Sequence, residues 1–159
     1  MDISVLIERK YRGKVDENWL QDVISQTLTA EKVQAKAEVS LMITSQEKIR
    51  QLNLTYREID EPTDVLSFGM MPETTAESGL PFVTAPDGLQ HLGEVIISYP
   101  QAELQADQHG HSIKTELATL IIHGILHLLD YDHAEPDDEA RMKVRETDIL
   151  KQVEAKEEK

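Results

Sequence analysis

Apolar side chains recur along this chain with two periods. Ile3, Val5 and Ile7 alternate with Ser4 and Glu8, and Val39, Leu41 and Ile43 share one face of residues 37–44. A two-residue period buries one face of a strand, so strands are predicted over 2–8 and 37–44. Between them Trp19, Leu20, Val23, Ile24, Thr27 and Leu28 fall at helical spacing, with Asp16 placed to cap a helix over 17–30. Ser45 is placed to cap a second, short helix that carries Ile49 and Leu52 inward, with Tyr56 a further candidate for that face. Pro62 breaks the chain before Val65, Leu66 and Phe68, which read as a turn and a short strand. Leu92, Val95, Ile96 and Ile97 mark a well-buried strand over 92–98, and an irregular or helical stretch follows over 99–107. A long helix is predicted from Ser112 to about Leu129. Pro136 suits the first turn of a last helix, whose dipole Asp137, Asp138 and Glu139 complement and whose inner face carries Met142, Ile149 and Val153.

These elements predict an α+β fold, a small mixed sheet packed against several helices, with all 159 residues in a single domain. Residues 69–90 hold three of the six prolines and three of the seven glycines and read as a long loop, a candidate lid.

Composition narrows the chemistry. Cysteine is absent, which excludes disulfide frameworks, zinc ribbons and thiol nucleophiles and leaves His, Asp and Glu to build any transition-metal site. Aromatic residues make up 4%, too few for a surface that binds single strands mainly by stacking. The N-terminus lacks the basic segment and cleavage site of an export signal, and the apolar run 117–129, broken by Thr119, His123 and His127, is too short to span a bilayer. A cytoplasmic protein with no membrane partner is expected.

Three of the six histidines fall within 11 residues, His123, His127 and His133. Spacing of four on a helix turns two imidazoles to the same face, one turn apart. His133 joins them only if the helix ends, because a continued helix would carry it roughly 9 Å further along the axis. The break falls at Asp130, a residue that tolerates the left-handed conformation less well than glycine. The pattern predicts a zincin-like helix on which His123, His127 and His133 hold one Zn2+, although nickel, cobalt or manganese also suits such donors. A fourth position is left open, where bound water ionises near pH 7 and hydrolysis becomes the expected reaction.

The same spacing occurs in metzincin proteases, but their general-base Glu is Gly124 here and their turn Gly is Asp130. A glycine takes no proton, so a peptidase would need another base. Phosphodiester hydrolysis instead requires a cation for the phosphoryl oxygens, a role suited to arginine. Arg50, Arg57 and the basic residues near the N-terminus are all candidates, with Arg57 favoured by its place before the turn 58–62. Asp64 and Asp132 could orient ligand imidazoles or serve as caps and turn formers.

Three blocks resemble a known family. They are Leu52-Asn53 through Tyr56-Arg57 to Pro62-Thr63-Asp64-Val65-Leu66-Ser67-Phe68, then Leu92-Gly93-Glu94-Val95-Ile96-Ile97-Ser98, and the histidine segment 123–133. Together they span about half of the chain and are similar to the YbeY family of bacterial endoribonucleases and rRNA maturation factors. The resemblance implies metal ligands at His123, His127 and His133 and cleavage of single-stranded RNA. It further implies 16S rRNA 3′-end maturation and ribosome quality control, with rRNA and the ribosome or small-subunit assembly proteins as partners and no DNA. It makes Arg57 and His123 the catalytic positions, Arg57 as the phosphate-binding arginine. Two residues depart from the pattern: Asp130 stands where glycine is usual and Glu94 where aspartate is common.

The net charge of −14 opposes RNA binding, yet it is unevenly spread. Residues 1–57 carry a net +1 and residues 58–159 a net −15. RNA is therefore expected along the side bearing Arg9 to Lys14, Lys32, Lys36, Lys48, Arg50 and Arg57. A metallopeptidase without its glutamate, and a non-catalytic ribosome-assembly factor with a structural metal, are the competing readings.

Overall fold

The computed structural model describes residues 2–33, 37–69, 90–129 and 136–157. Four strands, β1 (Asp2–Ile7), β2 (Ala37–Thr44), β3 (Val65–Gly69) and β4 (Gln90–Ser98), form one sheet in the order β1-β2-β4-β3. β1, β2 and β4 are parallel, whereas β3 runs antiparallel to β4. The helices are α1 (Glu17–Ala30), α2 (Gln46–Arg57), α3 (Tyr99–His109), α4 (Ile113–Leu128) and α5 (Pro136–Glu157). A mixed sheet with helices packed on it is the expected class.

The caps predicted at Asp16 and Ser45 form, and Ser112 supplies a third. Asp16 accepts from the Asn18 N–H, Ser45 from Lys48 and Ser112 from Thr115, each satisfying a donor that has no partner within its helix. Residues 99–109 are helical, with Ser98 as the cap and Gly110 as the left-handed stop.

Burial sorts the two faces of the sheet. Ala37, Val39, Leu41 and Ile43 of β2 face the main core with Leu20, Ile24 and Leu28 of α1, Leu117, Ile121 and Ile125 of α4, and Met142, Ile149 and Val153 of α5. On the opposite face Ile96 and Leu66 meet Ile49 of α2 in a smaller cluster. Helix α4 packs against β3, β4 and helices α1, α3 and α5, which makes it the central helix of the fold. Arg145 fastens α5 to the end of α1, pairing with Glu31 at 3.1 Å and donating to the Ala30 carbonyl.

Two glycines permit close approaches. Gly93 has φ of 134°, and a Cβ there would lie 2.2 Å from the Phe68 carbonyl oxygen, so β3 and β4 pair only with glycine at this point. Gly124 brings α4 against the sheet: a Cβ would lie 2.7 Å from Val95 Cγ1 and 3.2 Å from Ser67 Oγ. Ser67 uses that approach to donate to the Gly124 carbonyl at 3.1 Å.

Candidate active site

The last two turns of α4 carry His123 and His127. Their ring centroids are 4.6 Å apart with planes at 79°, and the two Nε2 atoms approach to 3.1 Å. Two nitrogens bound to one ion at about 2.05 Å in tetrahedral geometry stand roughly 3.3 Å apart, so the pair fits a shared metal. The helix ends at Leu128, with Leu129 as its cap, which is the break that recruiting a third histidine requires. Asp130, Asp132 and His133 lie outside the described residues, as do 70–89 of the proposed lid.

Glu146 of α5 fixes the first imidazole. Its Oε1 is hydrogen-bonded to His123 Nδ1, which leaves Nε2 as the nitrogen turned toward His127. A carboxylate on the far nitrogen sets the tautomer and raises the basicity of a ligating imidazole. From the sequence, Asp64 is a candidate either for this partner or for a cap or turn role. The structure instead gives Asp64 a capping role: its Oδ1 accepts from the Val65 N–H at 2.8 Å and its Oδ2 from Gln105 at 3.3 Å.

Helix α2 and β3 supply the opposite wall. Glu58, at φ 61°, is the left-handed residue that ends α2 immediately after Arg57. The Asn53 side chain donates to the Glu61 carbonyl at 2.9 Å and holds the turn that leads into β3. Arg57, Asp64, Ser67, His123, His127 and Leu128 thereby line one cleft of about 560 Å³. Arg57 makes no ion pair among the described residues, so the cleft joins a cationic side chain to two imidazoles.

Of the other expected RNA contacts, Lys36 lies outside the described residues, and Lys48 and Arg50 lie away from this cleft. Lys48 lines a separate cavity of about 390 Å³ with Arg9 and Arg12. Arg50 pairs with Asp60 at 2.8 Å and Glu47 at 3.2 Å, which raises the guanidinium pKa through the Asp60 hydrogen bond first. Neither lines the cleft that holds Arg57.

Gly124 explains the missing protease glutamate. A side chain at position 124 would point into Val95 and Ser67 of the sheet, so the helix face that carries the base in metzincins is here the packing face.

A second polar group was not anticipated. Glu116, buried in the first turn of α4, receives His109 Nδ1 at 2.9 Å and His111 Nε2 at 2.6 Å on Oε1, and Gln105 Nε2 at 3.0 Å on Oε2. Burial pushes its carboxyl pKa up, but the bonds from His109, His111 and Gln105 outweigh that and hold it below the ordinary value. This His-His-Glu group could hold a metal ion. One signal was available in the sequence, an acid at the head of an otherwise apolar helix beside two of the remaining histidines.

A family model described as Endoribonuclease YbeY matches residues 6–154. A protein of that name from Dehalococcoides mccartyi is 48% identical over 96% of this chain and 97% of its own. Another from Roseiflexus castenholzii is 40% identical over 93% and 90%. The solution structure of a Thermotoga maritima protein shares the fold, with a TM-score of 0.64 and 28% identity over 97% of this chain and 90% of that one.

Proposed function

Because this chain belongs to the YbeY endoribonuclease family, we propose that it is a metal-dependent endoribonuclease that cleaves single-stranded RNA and matures the 3′ end of 16S rRNA in the cytoplasm. The observation that carries this reading is the single cleft lined by Arg57 together with the His123–His127 pair.

The metal is Zn2+, held by His123, His127 and His133. An ion there supplies Lewis-acid polarisation of a phosphoryl oxygen and activation of a water. Arg57 binds the same phosphate, its planar fork matched to two oxygens whose charge grows as the bond breaks. Glu146 holds the His123 ring by the proton on Nδ1. Ser67 ties α4 to β3 through the Gly124 carbonyl and so fixes the distance between the imidazoles and the wall that carries Arg57. Flanking nucleotides run toward Lys48, Arg9 and Arg12, whose cavity lies on the less acidic part of the chain. The ribosome and small-subunit assembly proteins are the proposed partners. No helix among the described residues is long and apolar enough to cross a membrane.

The test is cleavage of an rRNA precursor with an unprocessed 3′ end by the zinc-loaded protein. Arg57→Ala is expected to lose cleavage while keeping the zinc of the cleft, and His127→Ala to lose cleavage together with the zinc of the cleft. Equal cleavage by all three proteins overturns the reading.

A further inference from the structure

We infer that His109, His111 and Glu116 form a second divalent-metal site, separate from the histidine pair in the cleft. His109 ends α3, His111 follows the left-handed Gly110, and Glu116 sits in the first turn of α4, so the sharp helix connection delivers all three. One nitrogen from each ring and one carboxylate oxygen lie within 4.8 Å of one another. The rings meet edge to face, at 66° with centroids 5.5 Å apart, and converge on the oxygen rather than stacking.

Three further features distinguish this group from an incidental surface cluster. The Glu116 side chain is only 3% exposed, so its negative charge is withheld from water and calls for a counter-charge. Its second oxygen is occupied by Gln105, which leaves Oε1 as the single ligating atom and supplies the outer partner expected at a metal site. His109 and His111 are 54% and 32% exposed, which opens a path for an ion from solvent.

Donors bound to one ion at about 2.0–2.1 Å stand roughly 3.0–3.4 Å apart, so the contacts at 2.6 and 2.9 Å need to open by less than about 1 Å. Two imidazoles and one carboxylate suit Zn2+ and its neighbours rather than Mg2+ or Ca2+. The site also reaches the cleft. Gln105 donates to both Glu116 and Asp64, and Asp64 lines the cleft, so an ion on Glu116 bears on the wall opposite His123 and His127.

The experiment titrates chelator-treated full-length protein with zinc chloride and counts bound zinc after desalting. Cobalt(II) chloride provides a visible-absorption readout. Wild type is expected to bind two equivalents, and His127→Ala to keep one together with a cobalt spectrum. In the His127→Ala background, His111→Ala is expected to abolish that spectrum, and His109→Ala, at an exposed side chain, to weaken zinc binding at least tenfold. One equivalent that survives His127→Ala and is lost with His111→Ala also supports the second site, while counting against metal in the cleft. A wild type whose zinc is all lost in His127→Ala overturns the inference. So does zinc binding unchanged by both His109→Ala and His111→Ala, which would leave the cluster a set of hydrogen bonds.

Discussion

Gly124→Ala tests whether the contact between α4 and the sheet is what places the histidines. The added methyl would meet Val95 Cγ1 at 2.7 Å, Cγ2 at 3.1 Å and Ser67 Oγ at 3.2 Å, against an ordinary carbon contact of about 3.5–4.0 Å. Val95 is 1% exposed in the middle of the sheet, and its branched side chain has no easy alternative rotamer, so the helix must back away. Overpacking of this kind costs about 1–3 kcal/mol. Alanine returns about 1 kcal/mol through helix propensity. The net is a destabilisation of up to about 2 kcal/mol, a Tm lower by up to roughly 8 °C for a chain of this size. Urea unfolding of the variant, of Val95→Ala and of the pair checks the cause. The double variant should be more stable than the sum of the single effects by at least about 0.5 kcal/mol, because Val95→Ala removes the clash. Strictly additive effects of the two substitutions would refute the close-packing argument.

Other consequences concern single side chains. Glu146→Gln keeps the shape but loses the charge on His123 Nδ1, and zinc affinity at the cleft should fall by about 10–100-fold in a competition titration; an unchanged affinity would remove Glu146 from the site. Glu116 has a folded pKa below the ordinary 4.5, so its contribution to stability is complete above that value and lost as pH falls through the lower one. In chelator-treated protein, Glu116→Gln should therefore flatten the acid side of the stability curve, read by urea midpoints at falling pH, and an identical acid limb would contradict the assignment. Lys48→Glu should weaken binding of single-stranded RNA and flatten the plot of log affinity against log salt by roughly 0.7 or more, about one phosphate contact. No change in slope would take RNA off that face.

The features legible in the sequence were the local ones. Asp16 and Ser45 act within three residues of themselves, and the four-residue spacing of His123 and His127 is a property of any helix. Long-range pairings left no comparable trace. The insertion of β4 between β2 and β3 depends on Gly93, whose φ of 134° is invisible in a residue name. Glu146 lies 23 residues from His123 on a helix crowded with acids, where nothing local separates it from its neighbours. Glu116 and its two histidines straddle a helix break, so no single periodicity collects them.

Gly124 stands where both the resemblance to proteases and its failure are decided. In a metzincin the residue after the first histidine faces the substrate and carries the base. Here that position faces β3 and β4, and the space a glutamate would need is filled by Val95 and Ser67. The exchange brings the antiparallel strand β3 against the helix, and with β3 come Asp64 and Ser67 at the cleft and, one turn earlier in the chain, Arg57. A proton acceptor is given up and a cationic wall is gained, a trade that suits a substrate already bearing a negative charge at the scissile group. Peptide bonds offer no such charge, so the packing of one glycine favours phosphodiester over peptide chemistry in a cleft that otherwise keeps the protease histidine spacing.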